Sequence, residues 1–161
     1  MSALPRDDVE AAIEQAYRRD FARFLRLATA MLGDADRGND AVQEAFARAL
    51  RSRSTLRDQQ QLGGWLWRTV VNVCLAEKRR PREYAARADS APPAAVDWPE
   101  VRAAIAALPE RQRTVLFLRH YADLDYAQIG GVLGIERGTV AATLNSAHTK
   151  VREAIKEASD E

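Results

Sequence analysis

Residues 125–147 read DYAQIGGVLGIERGTVAATLNSA, and the way this stretch folds decides the architecture of the chain. Asp125 and Gln128, three residues apart, form a capping pair that opens a short helix. Gly134 can take the left-handed backbone that a sharp turn requires. Ile129, Val132 and Leu133 before the turn are spaced to meet Ile135, Val140 and Leu144 after it, and the small residues Ala127 and Gly130 permit close approach. Short helix, glycine turn and second helix follow one another as in a helix-turn-helix. Val140, Leu144, Ala147, Val151 and Ile155 then continue one buried stripe. Arg137, Thr139, Thr143, Asn145 and Ser146 are left as outward-facing readers, yet residues 141–147 carry no cation.

Helical periodicity extends to the rest of the chain, with no alternating strand pattern between hairpin turns. The expected fold class is all-α: two small helical domains joined by a flexible linker, the second containing the helix-turn-helix. A first helix is expected over about residues 7–31, its stripe formed by Ile13, Tyr17, Phe21, Phe24, Leu25 and Ala28, with Gly33 and Asp34 ending it. A second covers 35–52, burying Val42, Phe46, Ala49 and Leu50 and turning Asp40, Gln43, Glu44 and Arg48 outward. Residues 51–64, RSRSTLRDQQQLGG, read as a polar loop closed by two glycines. A third helix runs from 65 to Arg80, where Pro81 stops it. Residues 81–99, rich in Ala, Pro and charge, have the composition of a linker. A helix near 100–107 and the segment PERQRTVLFLRHY, with Pro109 at a first-turn position, lead into the helix-turn-helix.

At 161 residues with 47% apolar and 29% charged content, the chain has enough material for a buried core. No apolar run approaches the roughly 20 residues of a membrane span, and the amino-terminal segment is acidic where a signal peptide would be apolar, so no membrane association and a cytoplasmic location are expected. Cys74 has no partner for a disulfide, and neither it nor His120 and His148 stands at metal-ligand spacing, so no metal or other cofactor is expected. Net charge is +1, but unevenly spread. Residues 1–87 hold 16 Lys and Arg against 12 Asp and Glu, a balance of +4, and residues 88–161 hold 8 against 11, a balance of −3.

Two further constellations stand out. Lys78, Arg79 and Arg80, with Arg82 and Arg87 beyond, close a helix that opens with Trp65 and Trp67. Cations beside rings are what single-stranded DNA requires, phosphates pairing with the charges and bases stacking on the aromatics. A solvated face favoured by the helix dipole is the plain alternative. The preceding loop, with Arg51, Arg53, Arg57 and three glutamines, is able to embrace an unstacked base. Asp40, Gln43 and Glu44 share one exposed helical face. With no nucleophile, His or glycine-rich loop beside them, they point to a protein contact rather than an active site, and no enzymatic activity is expected.

Taken in order, these segments resemble bacterial RNA polymerase sigma factors of the extracytoplasmic-function (ECF) type. The likeness spans nearly the whole chain: DRGNDAVQEAFARAL is similar to the region 2 motif, GGWLWRTVVNVCLAEKRR to the helix that melts and reads the minus-ten element, and the segment from 107 to 144 to region 4. The resemblance implies that residues 1–80 form region 2 and residues 100–161 region 4. It implies polymerase binding through Asp40, Gln43 and Glu44 on the clamp helices. Minus-ten contacts fall to Arg57, Trp65, Asn72, Arg79 and Arg80, and minus-thirty-five contacts to Arg137, Thr139, Thr143 and Asn145. Core RNA polymerase (clamp helices and flap) and promoter DNA are the implied partners, with an anti-sigma factor or activator as a further one.

The chain departs from the family pattern in places. Ala41 stands where Leu is usual, and Ala76 where Asp is frequent. In region 4, Ala141, Thr143 and Ser146 replace a Lys and two Arg, and Glu136 replaces the usual Ser cap, which removes phosphate-seeking charge and a good N-cap. Two alternatives therefore stay open: a sigma-like protein whose region 4 is chiefly a protein-interaction module with weak DNA binding, and a stand-alone helix-turn-helix regulator acting without polymerase.

Overall fold

The computed structural model describes residues 5–80 and 98–160. These contain seven α-helices, two short 3-10 turns and no strand. The chain divides into two compact units, Met1–Pro93 and Ala94–Glu161. Residues 81–97 of the expected linker lie outside the described residues.

In the first unit, α1 (Arg6–Leu32) ends at Gly33, whose positive φ of 71° lets its N–H reach the Thr29 carbonyl. Asp34 then caps α2 (Ala35–Arg51), its carboxylate accepting from the Arg37 N–H at 3.0 Å. The three long helices close on Ile13, Phe24, Leu27, Val42, Leu66, Val70 and Val71, each essentially without solvent contact. Ring contacts order this core. Phe24 packs on Trp67 with centroids 4.1 Å apart and edge-on to Phe46 at 5.3 Å, and Tyr17 meets Phe46 at 4.8 Å. Leu50, expected in the core, is half-buried.

The expected loop over 51–64 is shorter and more ordered than its composition implies. It holds two 3-10 turns, Arg53–Thr55 and Gln59–Gln61, and α3 (Leu62–Arg79) starts at Leu62 instead of Trp65. Both glycines, Gly63 and Gly64, therefore sit in the first turn of α3, where amide hydrogens have no helical partner and glycine costs little. Leu56 and Leu62 are buried and pin the connection from inside, while the Asp58 side chain accepts from the Gln60 N–H at 2.9 Å.

The crossing of α1 and α2 depends on Gly38. A Cβ built there lies 2.7 Å from Thr29 Oγ1 and 2.8 Å from the Thr29 backbone nitrogen. Helix propensity alone predicts that Gly38→Ala stabilises by about 1 kcal/mol, whereas overpacking against backbone costs about 1–3 kcal/mol. The backbone cannot yield as a side chain can, so overpacking prevails and Gly38→Ala lowers the urea midpoint. A raised midpoint would show that the two helices have room to spare.

In the second unit, α4 (Pro99–Ala106) takes Pro99 at its first position, so Pro99 belongs to the helix and not to the linker. Pro109 is the N-cap of α5 (Glu110–His120), one residue before the first turn. The helix-turn-helix is α6 (Tyr126–Leu133) and α7 (Arg137–Ser159), and the Asp125–Gln128 capping box is complete in both directions at 2.8 Å. Gly134 has φ 67°. Gly130 provides the close approach, since a Cβ there would lie 2.7 Å from the Ile135 carbonyl oxygen. Ala127 is exposed and has no part in it. Val115, Leu118, Ile129, Val140, Leu144 and Ala147 form the core, with Val151 and Ile155 half-buried as the stripe runs out.

Candidate nucleic-acid interface

On α2, Asp40 and Gln43 are exposed one turn apart. Glu44, on the same face, accepts from Arg48 Nε at 2.7 Å and Arg51 at 3.3 Å. The Arg48 hydrogen bond is the main reason its carboxyl lies below the usual glutamate range. Glu44 is thus already engaged, leaving Asp40 as the less committed carboxylate. Asp40 and Glu44 also border a cleft of about 680 Å³ between α2 and α3, whose other side includes Glu77 and Arg80.

The exposed face of α3 carries Arg68, Asn72, Ala76 and Arg79 at three- and four-residue steps, with half-exposed Trp65 at its start. Arg68 was not among the residues singled out by composition. Its spacing, three after Trp65 and four before Asn72, is the signal that identifies it. Trp67 is a core residue, 5% exposed, with the Arg23 guanidinium 5.6 Å from its ring centroid. The basic run 78–80 does not act as one cluster. Lys78 is half-buried, Arg79 lies on the Trp65–Asn72 face, and Arg80 turns to the cleft, where it pairs with Glu77 at 2.9 Å.

The arginines between α2 and α3 also separate. Arg51 pairs with Glu44 within α2, whereas Arg53 bonds the Leu50 carbonyl at 2.6 Å and approaches Glu10 of α1 at 3.7 Å, so Arg53 braces the connection. Arg57 is exposed. Beside it, Gln59 and Gln60 from the second 3-10 turn face Gln15, Arg19 and Asp20 of α1 across a pocket of about 310 Å³, with the Trp67 ring in its wall. The Asp20 carboxylate is held by Arg19 at 2.9 Å and Arg23 at 3.3 Å.

In the second unit, Arg137, Thr139 and Asn145 are exposed on α7 and Thr143 is half-exposed. Thr143 gives its hydroxyl hydrogen to the Thr139 carbonyl at 2.7 Å, so it faces outward only as an acceptor. Glu136 is the N-cap and makes no capping hydrogen bond with its side chain.

The family model for sigma-70 region 2 matches residues 16–83, and that for sigma-70 region 4 matches residues 99–150. The ECF RNA polymerase sigma factor EcfG of Rhodopseudomonas palustris is 31% identical over 156 residues, covering 91% of this chain and 82% of that protein. The chain belongs to the ECF sigma factors. SigM of Mycobacterium tuberculosis is 29% identical over 147 residues, covering 87% of this chain and 75% of its own length. Among solved structures, the sigma factor RpoE from Bartonella quintana, in complex with the anti-sigma factor NepR, shares the fold with a TM-score of 0.68 at 18% identity, covering 89% of this chain and 98% of its own. CnrH, in complex with the cytosolic domain of CnrY, superposes with a TM-score of 0.75 at 19% identity, covering 94% and 95%.

This ECF sigma factor therefore directs promoter recognition and transcription initiation, as a regulator of polymerase. Among its described residues no helix is long and apolar enough to cross a membrane. Cys74 is buried, and burial pushes its thiol up to about 12, which leaves it without thiolate chemistry at neutral pH.

Proposed function

We propose that residues 1–80 act as region 2 and residues 100–161 as region 4, with the division of labour following their surfaces. Asp40, Gln43 and Glu44 bind core polymerase at the clamp helices, and region 4 meets the flap. The α3 face of Trp65, Asn72 and Arg79, with Arg57 and Arg80 at its margins, holds the opened minus-ten strand. What carries this reading is the continuous exposed row on α3, and the pocket behind Gln59 and Gln60, which opens on another side of that helix, is a separate feature. A ring, an amide and cations line the path of a backbone, and a space of about 310 Å³ with amide donors and acceptors suits one unstacked base. Run-off transcription with core enzyme on a promoter library tests it. Initiation that requires this chain supports the role, and promoter binding that needs no polymerase supports a stand-alone regulator instead. The anti-sigma factor NepR bound in one superposed complex, and the CnrY domain bound in the other, favour a protein partner that regulates this chain.

A second reading is favoured by one observation, the lack of any charged side chain over residues 141–147 of α7. Region 4 then serves chiefly as a protein-interaction module, and Arg137, Thr139, Thr143 and Asn145 make few phosphate contacts at the minus-thirty-five element. Installing the absent charges separates the two. In the holoenzyme, Ala141→Lys/Thr143→Arg/Ser146→Arg adds about three phosphate contacts if α7 lies on DNA, steepening the salt dependence of promoter affinity by roughly 0.9 per contact. From 50 to 200 mM salt the variant should lose about 40-fold more affinity than the parent. An unchanged slope assigns α7 to protein partners.

A further inference from the structure

His120 and His148 are 28 residues apart in sequence, and their Nε2 atoms lie 3.0 Å apart in the fold. Their ring centroids are separated by 5.3 Å and their planes inclined by 57°. His120 is at the C-terminal end of α5 and exposed, and His148 is half-exposed on α7. The contact is a hydrogen bond in which one imidazole donates Nε2–H and the other accepts. The same two atoms also suit a shared cation. Metal–nitrogen bonds of about 2.0–2.1 Å meeting at a right to tetrahedral angle place their nitrogens roughly 2.9–3.4 Å apart.

We infer that His120 and His148 form a two-imidazole site for a late divalent transition metal, Zn2+, Ni2+, Co2+ or Cu2+, joining α5 to α7. Two nitrogen donors exclude Ca2+ and Mg2+, which require oxygen ligands. Partial burial, the facing His148 and the adjacent Arg119 all hold His120 below its ordinary value. Arg119 opposes a cation, but its guanidinium is turned toward Asp123 at 3.4 Å. No cluster of three or more His, Cys, Asp and Glu occurs among the described residues. The remaining coordination positions therefore fall to water, or to a side chain of a bound partner, and affinity is far below that of a closed four-ligand site. An ion there ties the middle of α7 to the end of α5.

The test is a Zn2+ titration of untagged, 15N-labelled full-length chain, observing the histidine ring nitrogens by NMR. The Nε2 signals of both rings should move together and saturate at one Zn2+ per chain, with no response to Mg2+, and the thermal midpoint should rise with Zn2+ concentration. In His148→Gln the His120 response should weaken at least tenfold, and in His120→Gln the His148 response likewise. Metal-free urea unfolding of each variant confirms that it folds. Absence of a response in the parent chain, an equal response to Mg2+, or an unweakened response of either ring in a folded variant lacking the other overturns the site.

Discussion

A chain carrying Arg79→Ala and Arg80→Ala should still bind core polymerase but form open promoter complexes at less than a tenth of the parent level. Melted DNA is held by cations on its phosphates and by rings under its bases, and α3 ends in cations where its exposed face meets solvent. Losing two cations from a helix C-terminus costs about 0.3–1 kcal/mol each in helix stability, too little to unfold the unit, so the defect would report on DNA. Arg80 has a second neighbourhood, however, in the Glu77 pair and the cleft shared with Asp40 and Glu44. The single variants apportion the effect. Arg79→Ala should impair opening with full core binding, and Arg80→Ala should carry any loss of polymerase affinity. Permanganate footprinting of the minus-ten region alongside a core-binding assay measures both. Parent-level opening by the double variant would remove these arginines from the melting surface.

The complementary loss is expected from Asp40→Arg. If α2 docks on polymerase through Asp40, Gln43 and Glu44, reversing the charge of its least committed carboxylate places a cation where the interface is arranged for an anion. A central interface residue of this kind is worth 2 kcal/mol or more, about 30-fold in affinity. Neighbouring Glu44 is already bound to Arg48 and Arg51, so Glu44→Gln should cost less and act partly by releasing those arginines. Competition against another sigma factor for limiting core enzyme gives both affinities. An Asp40→Arg chain that competes as well as the parent would move the polymerase contact elsewhere.

The folding signals legible in the residues are the local ones. The Asp125–Gln128 box, Gly33 and Gly134 in left-handed turns, and the apolar stripes of α1, α2 and α7 each depend on neighbours within about four positions, where spacing and stereochemistry act directly. The two glycines at 63 and 64 misled for the same reason. Their local preference is for a loop, and burial of Leu62 outweighs it. Of the residues assigned to DNA and polymerase contacts, exposure of Asp40, Gln43, Arg57, Asn72, Arg79, Arg137, Thr139 and Asn145 agrees with outward roles, which the proposed experiments address.

By itself, then, the sequence determined an all-helical chain with a helix-turn-helix near its end, because helical period, caps and turn glycines are short-range and nearly independent of what packs on them. Only the tertiary structure decided which of equivalent residues do different things. It buried Trp67 against Phe24 and left Trp65 half-open, divided Lys78, Arg79 and Arg80 among three environments, turned Arg53 into a brace toward Glu10, made Gly38 a crossing point, and brought His120 to His148. Each of these depends on where one helix crosses another. That geometry is set by the sum of many weak packing contacts between distant segments, and no local pattern records it.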